Sequence, residues 1–196
     1  MSARWWRGGG DPFLISEELA PLATELVAAL GKKPITGIVL DASYYPSNLR
    51  IPGIVDTGEA YNALNSALAV NFNTVYAVRS GNKVRSAEKQ TPITPLAINQ
   101  FRLRGPNGSG RISLSQDPMV SLQYAGELIA AFIERAGGSV KGKISTGLVP
   151  KGGAGLRSPT VAYPFGDPRR AAPRIEQLHR QPGLPGDRRT PPGRAS

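Results

Sequence analysis

Three spacings in this chain match those of serine acyl-transfer centres. Ser80 with Lys83 and Ser86 with Lys89 both fit S-x-x-K, and Ser80-Gly81-Asn82 fits S-x-N. In an acylating enzyme the S-x-x-K serine opens a helix, so that the lysine one turn on reaches and activates its hydroxyl. Here the first pair straddles a glycine turn, and the second lies in a polar, exposed stretch. Lys143-Ile144-Ser145-Thr146-Gly147 approaches K-T-G only with residues intervening, and it reads as a strand with one face in solvent. Chains rich in serine and lysine produce such matches by chance, and none of them is assigned a catalytic role.

Other candidates are weaker still. Gly8-Gly9-Gly10 lacks the preceding strand and following Lys-Ser/Thr of a phosphate loop, so it reads as a structural turn. Asp41, Asp56 and Glu59 are possible paired carboxylates, but their spacing fixes no common face. Asn62, Asn65, Asn71 and Asn73 read as a turn and edge network. There is no cysteine and a single histidine, His179. Thiol catalysis and Cys-ligated zinc are thereby excluded, and a histidine-based triad or metal cluster would rest on one residue. No catalytic, cofactor-binding or metal-ligating residue is assigned, and no cofactor is expected.

The elements that would have to position any site are those of a mixed α/β body over residues 1–150. Leu19, Leu22, Ala23, Leu26, Val27 and Leu30 fall at i, i+3, i+4, i+7 spacing, which predicts a helix capped by Ser16 and ended by Gly31. Lys32 and Lys33 suit the negative end of its dipole. Ile35 to Asp41 reads as a buried strand and Tyr44 to Asp56 as a loop. Tyr61 to Leu68 reads as a short helix. Val70, Phe72, Thr74, Tyr76 and Val78 alternate as one strand face, leading to a hairpin turn at Ser80-Gly81-Asn82. Further strands are expected near 98–103 and 111–115, around a turn from Gly105 to Gly110. Asp117 and Pro118 open the clearest helix, with Leu122, Tyr124, Leu128, Ile129, Phe132 and Ile133 on its apolar face. Gly137-Gly138 ends it, and Val140 to Thr146 closes the body as a strand. No internal repeat is present.

Residues 151–196 have a different character. The tail carries nine Lys/Arg against three Asp/Glu and eight prolines, with no apolar period. Such a segment cannot bury enough apolar surface to offset its ordering entropy. The body holds 15 basic and 11 acidic groups, so the high isoelectric point is largely a property of the tail. A basic tail of this kind suggests a binder of nucleic acid or anionic surfaces, whereas the body has no Arg/Lys stripe interleaved with aromatics and no nucleic acid is expected there. No apolar run approaches the roughly 18 residues of a transmembrane helix. Met1 to Gly10 lacks the apolar core of a signal peptide.

Four segments in order resemble one family. They are Gly8-Gly9-Gly10-Asp11-Pro12-Phe13-Leu14, Ile35-Thr36-Gly37-Ile38-Val39-Leu40-Asp41, the run from Tyr61 to Asn73, and Gly142 to Pro150. The run is similar to the serine-type D-alanyl-D-alanine carboxypeptidases/endopeptidases, the low-molecular-mass class C penicillin-binding proteins. In that family a long accessory insertion interrupts the penicillin-binding domain, after S-x-x-K and before S-x-N and K-T-G. The resemblance therefore implies an accessory-region fragment, an α+β fold followed by a disordered tail, and a parent peptidase acting on peptidoglycan stem peptides. It also implies a missing penicillin-binding domain as partner and a periplasmic or exported parent. None of the family's catalytic side chains falls at a matching position. Back-translation of Val161 to Gly193 one base later permits a helix followed by an S-x-N run. This predicts a one-base frameshift near Lys151 to Ala154. Alternatively, the body is a non-catalytic module that binds glycan or protein.

Overall fold

The computed structural model describes residues 4–31, 33–46, 51–150 and 156–157. The expectations for Lys32, for His179 and for the reading frame of the tail lie outside these residues.

Two small sheets share one core. The first strand, β1 (Arg4–Arg7), leads through the glycine turn into helix α1 (Ser16–Leu30), which returns to strand β2 (Ile38–Asp41). β1 and β2 pair in parallel, Arg4 opposite Ile38 and Arg7 opposite Asp41. Antiparallel strands β3 (Thr74–Ser80) and β4 (Lys83–Ser86) form a hairpin, followed by helix α2 (Pro95–Arg104) and strand β5 (Gly108–Ser113). Helix α3 (Pro118–Arg135) then leads back to β6 (Ile144–Thr146), which pairs in parallel with β2. Leu156–Arg157, within the basic tail, forms β7 and pairs in parallel with β1. The sheet orders are β6-β2-β1-β7 and β4-β3-β5. The fold is mixed α/β, with crossover and hairpin connections both present.

Helix α3 is the keystone. It packs on α1, α2, β2 and β6, and its buried side chains include Leu122, Tyr124, Leu128, Ile129, Phe132 and Ile133. They join Leu19, Leu22 and Leu26 of α1, Ile38 and Leu40 of β2, and Val75, Ala77 and Ile112 of the hairpin sheet in one continuous cluster. The helix begins as its sequence dictates: the Asp117 carboxylate accepts from the Met119 N–H at 2.9 Å, with proline at the first helical turn.

Five local expectations are corrected. Ser16 does not cap α1; Ile15 holds the cap position, without a side-chain bond. Ser16 is the first helical residue, and its N–H donates to the Asn71 side chain at 2.9 Å, so a residue 55 positions away satisfies that orphan amide. The helix expected from Tyr61 to Leu68 shrinks to a single 3-10 turn, Ala60–Asn62. The strand expected from Val70 starts only at Thr74, because Asn71, Phe72 and Asn73 all adopt positive φ (48°, 59° and 53°). That turn breaks the alternation. Phe72 is half exposed, and the face turned inward carries Val75 and Ala77 rather than Tyr76 and Val78. Finally, 98–103 is helix. Thr94 caps it by accepting from Ala97 N–H at 3.2 Å, Pro95 opens it, and Ala97 and Phe101 bury one turn apart. The strand expected from Ile35 is also shorter than its apolar run. Ile35 makes only an isolated bridge to Val140, and the strand proper begins at Ile38.

Candidate functional site

The residues with acyl-transfer spacing are held apart from that chemistry. Ser80 and Lys83 pair directly across the β3–β4 hairpin, whose two-residue connection, Gly81-Asn82, needs the positive φ (58°) of Gly81. Both side chains are exposed. No helix joins them, so the lysine is not poised over the serine as a base. Ser86 ends β4, and its hydroxyl is used locally, donating to the Glu88 carbonyl at 2.9 Å and accepting from the Glu88 N–H. Lys89 follows in an exposed bend. Residues 143–147 run through edge strand β6, where Gly147 N–H donates to Leu40 C=O at 3.0 Å.

Contrary to the sequence reading, a strand does precede the glycine run, since β1 ends at Arg7; Gly8 and Gly10 are nonetheless packed, and Gly9 alone is open. Gly8 N–H donates to the Asp41 carbonyl (2.8 Å) and Gly10 N–H to the Ala67 carbonyl (2.9 Å). A Cβ on Gly8 would collide with the Ala67 carbonyl, and one on Gly10 with the Tyr45 ring. The run is followed by Asp11-Pro12-Phe13, without the Lys-Ser/Thr of a phosphate loop.

The three acidic candidates serve three different elements. Asp56 pairs with Arg104 of α2 at 2.7 Å. Glu59 is exposed, its backbone bridged to Ile112. Asp41, at the end of β2, is buried; its carboxylate accepts from Ser43 N–H and Val149 N–H, each at 2.9 Å, with Arg7 Nε at 3.9 Å. Burial pushes this carboxyl up, but the Ser43 and Val149 hydrogen bonds and the Arg7 charge outweigh it and hold it below the ordinary 3.8. A carboxylate kept ionised by its partners is a poor general base. It staples β2 to the segment after β6.

The sign of its pH effect follows. A depressed native pKa contributes stability above the unfolded value, and that contribution is lost as pH falls below about 4 through the native value. Asp41→Asn keeps one acceptor and drops the charge. The variant should melt lower at neutral pH and lose less than the parent between neutral pH and pH 3, as measured by thermal unfolding. Equal acid slopes for the two proteins would contradict this assignment.

The asparagines form structural turns. Asn62 donates to Thr57 Oγ1 at 2.6 Å, and Asn73 to the Leu64 carbonyl at 2.7 Å, while Asn65 is exposed. Asn71 belongs to a buried polar knot that the sequence spacing did not reveal. It bonds Ser16 in both directions (2.9 and 3.2 Å), Thr91 donates to the Ser16 hydroxyl at 2.8 Å, and Thr91 also reaches Glu88. Glu88 pairs with Arg111 at 2.6 Å. Tyr124 closes the knot from α3. Burial pushes its phenol up to about 12, eased by the Asn71 side chain and the Arg111 charge and reinforced by Glu88. Ser16 therefore has an amide and an alcohol as neighbours and no basic group, so its hydroxyl is not activated. The enclosed space, ≈ 10 Å³, holds at most a water.

Removing the knot's centre should be costly. Asn71→Ala strips the α1 cap, leaves Ser16 and Tyr124 short of a partner, and puts a Cβ-bearing residue without a polar side chain at φ 48°. The expected loss is about 2–3 kcal/mol in urea unfolding. Asn71→Asp, which keeps the acceptor for Ser16 N–H, should lose less. Among the described residues no three His, Cys, Asp or Glu side chains are gathered as a metal would require.

A family model described as the D-Ala-D-Ala carboxypeptidase 3 (S13) family matches residues 4–120. The chain belongs to this family. The solved structure of penicillin binding protein 4 (dacB) from Haemophilus influenzae superposes with a TM-score of 0.50 at 21% sequence identity. The match covers 71% of this chain and 38% of that one, so the S13 chain described here spans well under half of its relative's length. At that identity the likeness is one of fold. No curated protein matches the chain. Among the described residues no helix is long and apolar enough to cross a membrane.

Proposed function

We propose that this chain is the accessory region of an exported serine-type D-Ala-D-Ala carboxypeptidase that acts in peptidoglycan remodelling, and that by itself it performs no acyl transfer. The observation that carries the second half is the hairpin geometry of Ser80 and Lys83, which pair across two strands instead of meeting on one helix turn. Family membership supports the first half. In the parent, a serine would be acylated by the penultimate D-Ala carbonyl with release of D-Ala, a lysine serving as base and backbone N–H groups stabilising the oxyanion. The body's part would be to pack on the penicillin-binding domain. Tyr61, Leu103 and Val55 are each more than half exposed, as large apolar side chains awaiting a partner surface would be.

The reading extends to the tail, whose residues from Lys151 on would be encoded one base out of frame. Resequencing the coding DNA tests this directly. An extra or missing base near codons 151–154, with S-x-N and K-T-G restored downstream and S-x-x-K upstream, is the expected result. An intact frame would leave a genuine basic tail and a non-catalytic module. Incubation with a peptide ending in D-Ala-D-Ala should release no D-Ala; release abolished by Ser80→Ala would overturn the proposed inactivity.

A further inference from the structure

The strongest unassigned feature is the outer edge of the hairpin sheet. β4 is an edge strand, paired only with β3. Its hydrogen-bond phase is fixed: Ala87 N–H donates to Tyr76 C=O at 3.1 Å, in register with the Val78–Arg85 and Ser80–Lys83 pairs. Bonded and non-bonded pairs alternate in an antiparallel ladder. Arg79–Val84 and Ala77–Ser86 are therefore the non-bonded pairs, and the N–H and C=O groups of Val84 and Ser86 point away from β3. No other hydrogen bond from these main-chain groups is found among the described residues.

A groove of ≈ 570 Å³ runs beside this edge, between β4 and α2. Val84 and Ile98 form part of its floor, and Lys83, Arg85 and Arg102 line it together with Asn82, without any carboxylate. Arg102 is committed, donating to the Asn82 carbonyl at 2.8 Å. Lys83 and Arg85 are exposed and make no ion pair among the described residues. An edge with free main-chain groups, an apolar floor and a helix as the far wall has the parts that strand addition uses.

The geometry points to an extended, acidic segment of a partner protein as the occupant, adding to β4 as a further strand. Main-chain bonds to Val84 and Ser86 would supply register, alternate apolar side chains would enter toward Val84 and Ile98, and carboxylates would face Lys83 and Arg85. A second copy of this chain is disfavoured, since edge-to-edge pairing would bring the same two cations against themselves. This inference does not depend on the acylation reading, because its residues lie outside any acyl-transfer chemistry.

The test uses fluorescence anisotropy of a short labelled peptide alternating valine and glutamate, with the full chain. The expected result is saturable binding, absent for the lysine counterpart of the peptide. The charge reversal Lys83→Glu with Arg85→Glu should weaken binding by about tenfold or more. Val84→Pro removes the outward N–H while sparing the β3–β4 bonds, as proline on a free edge can; it should weaken binding about tenfold with an unchanged melting temperature. Should Val84→Pro lower the melting temperature, the charge reversal decides alone. Absence of binding overturns the proposal. So does full binding by the charge-reversed variant or by a normally folded Val84→Pro. An oligonucleotide of equal charge that binds as tightly as the acidic peptide would also overturn it, since charge alone would then suffice.

Discussion

Replacing Phe132 with alanine should cost about 3–5 kcal/mol, enough to leave a domain of ordinary stability largely unfolded at 37 °C. Phe132 is 2% exposed and sits on the buried face of α3, the helix that touches α1, α2, β2 and β6 at once. Truncation there removes the transfer free energy of a ring and leaves a cavity between elements that cannot all close in on it. Urea denaturation followed by circular dichroism measures the loss. A cost under about 1 kcal/mol would mean that α3 does not hold the two sheets together. Phe132→Leu, which fills much of the volume, should recover most of the difference.

The second large effect is expected at Gly142. A Cβ there would land on the backbone of Thr36, against its carbonyl, with the Gly37 nitrogen at 2.8 Å. The neighbours are main chain, so no rotamer change makes room. Gly142→Ala must push 140–144 away from 35–38, and with it the bridge between Ile35 and Val140 and the pairing of Ile38 with Ile144. A cost of about 3 kcal/mol is expected, at the upper end of overpacking penalties. Gly137→Ala is an instructive comparison. Gly137 has open space around it and a φ of 87°, so only local backbone strain of about 1–2 kcal/mol applies. If the two variants melted alike, the close strand approach would not be the reason for glycine at 142.

Much of this fold was legible where local signals and packing agree. Asp117, Pro118 and the apolar face of α3 specify the same helix that the core requires, and the periodicity of Leu19, Leu22 and Leu26 does the same for α1. Misreadings arose where one signal masked another. Ile98 and Phe101 read as strand, although Thr94-Pro95 was a serviceable helix start. The alternation from Val70 to Val78 was real in letters and broken in space, because three consecutive positive-φ residues shift the side-chain phase at Thr74. No sequence rule places Asn71 as the cap of a helix that begins 55 residues earlier. That contact exists only once α1, the 71–73 turn and α3 have met. The knot of Ser16, Asn71, Thr91 and Tyr124 was invisible for the same reason. At the first motif match local signal and structure agree: the glycine between Ser80 and Lys83 signalled a turn, and a turn is what joins them.

The same distinction governs function. Fold and family follow from segments spread over the body, and the family model matches residues 4–120. Chemistry would need a serine and a lysine on one helix turn, and the described residues that match in letters are placed otherwise. The most direct test of that central statement is the intact mass of the purified chain after incubation with benzylpenicillin. An unchanged mass is expected. A stoichiometric penicilloyl adduct, mapped by peptide digestion to Ser80 or Ser86, would contradict it.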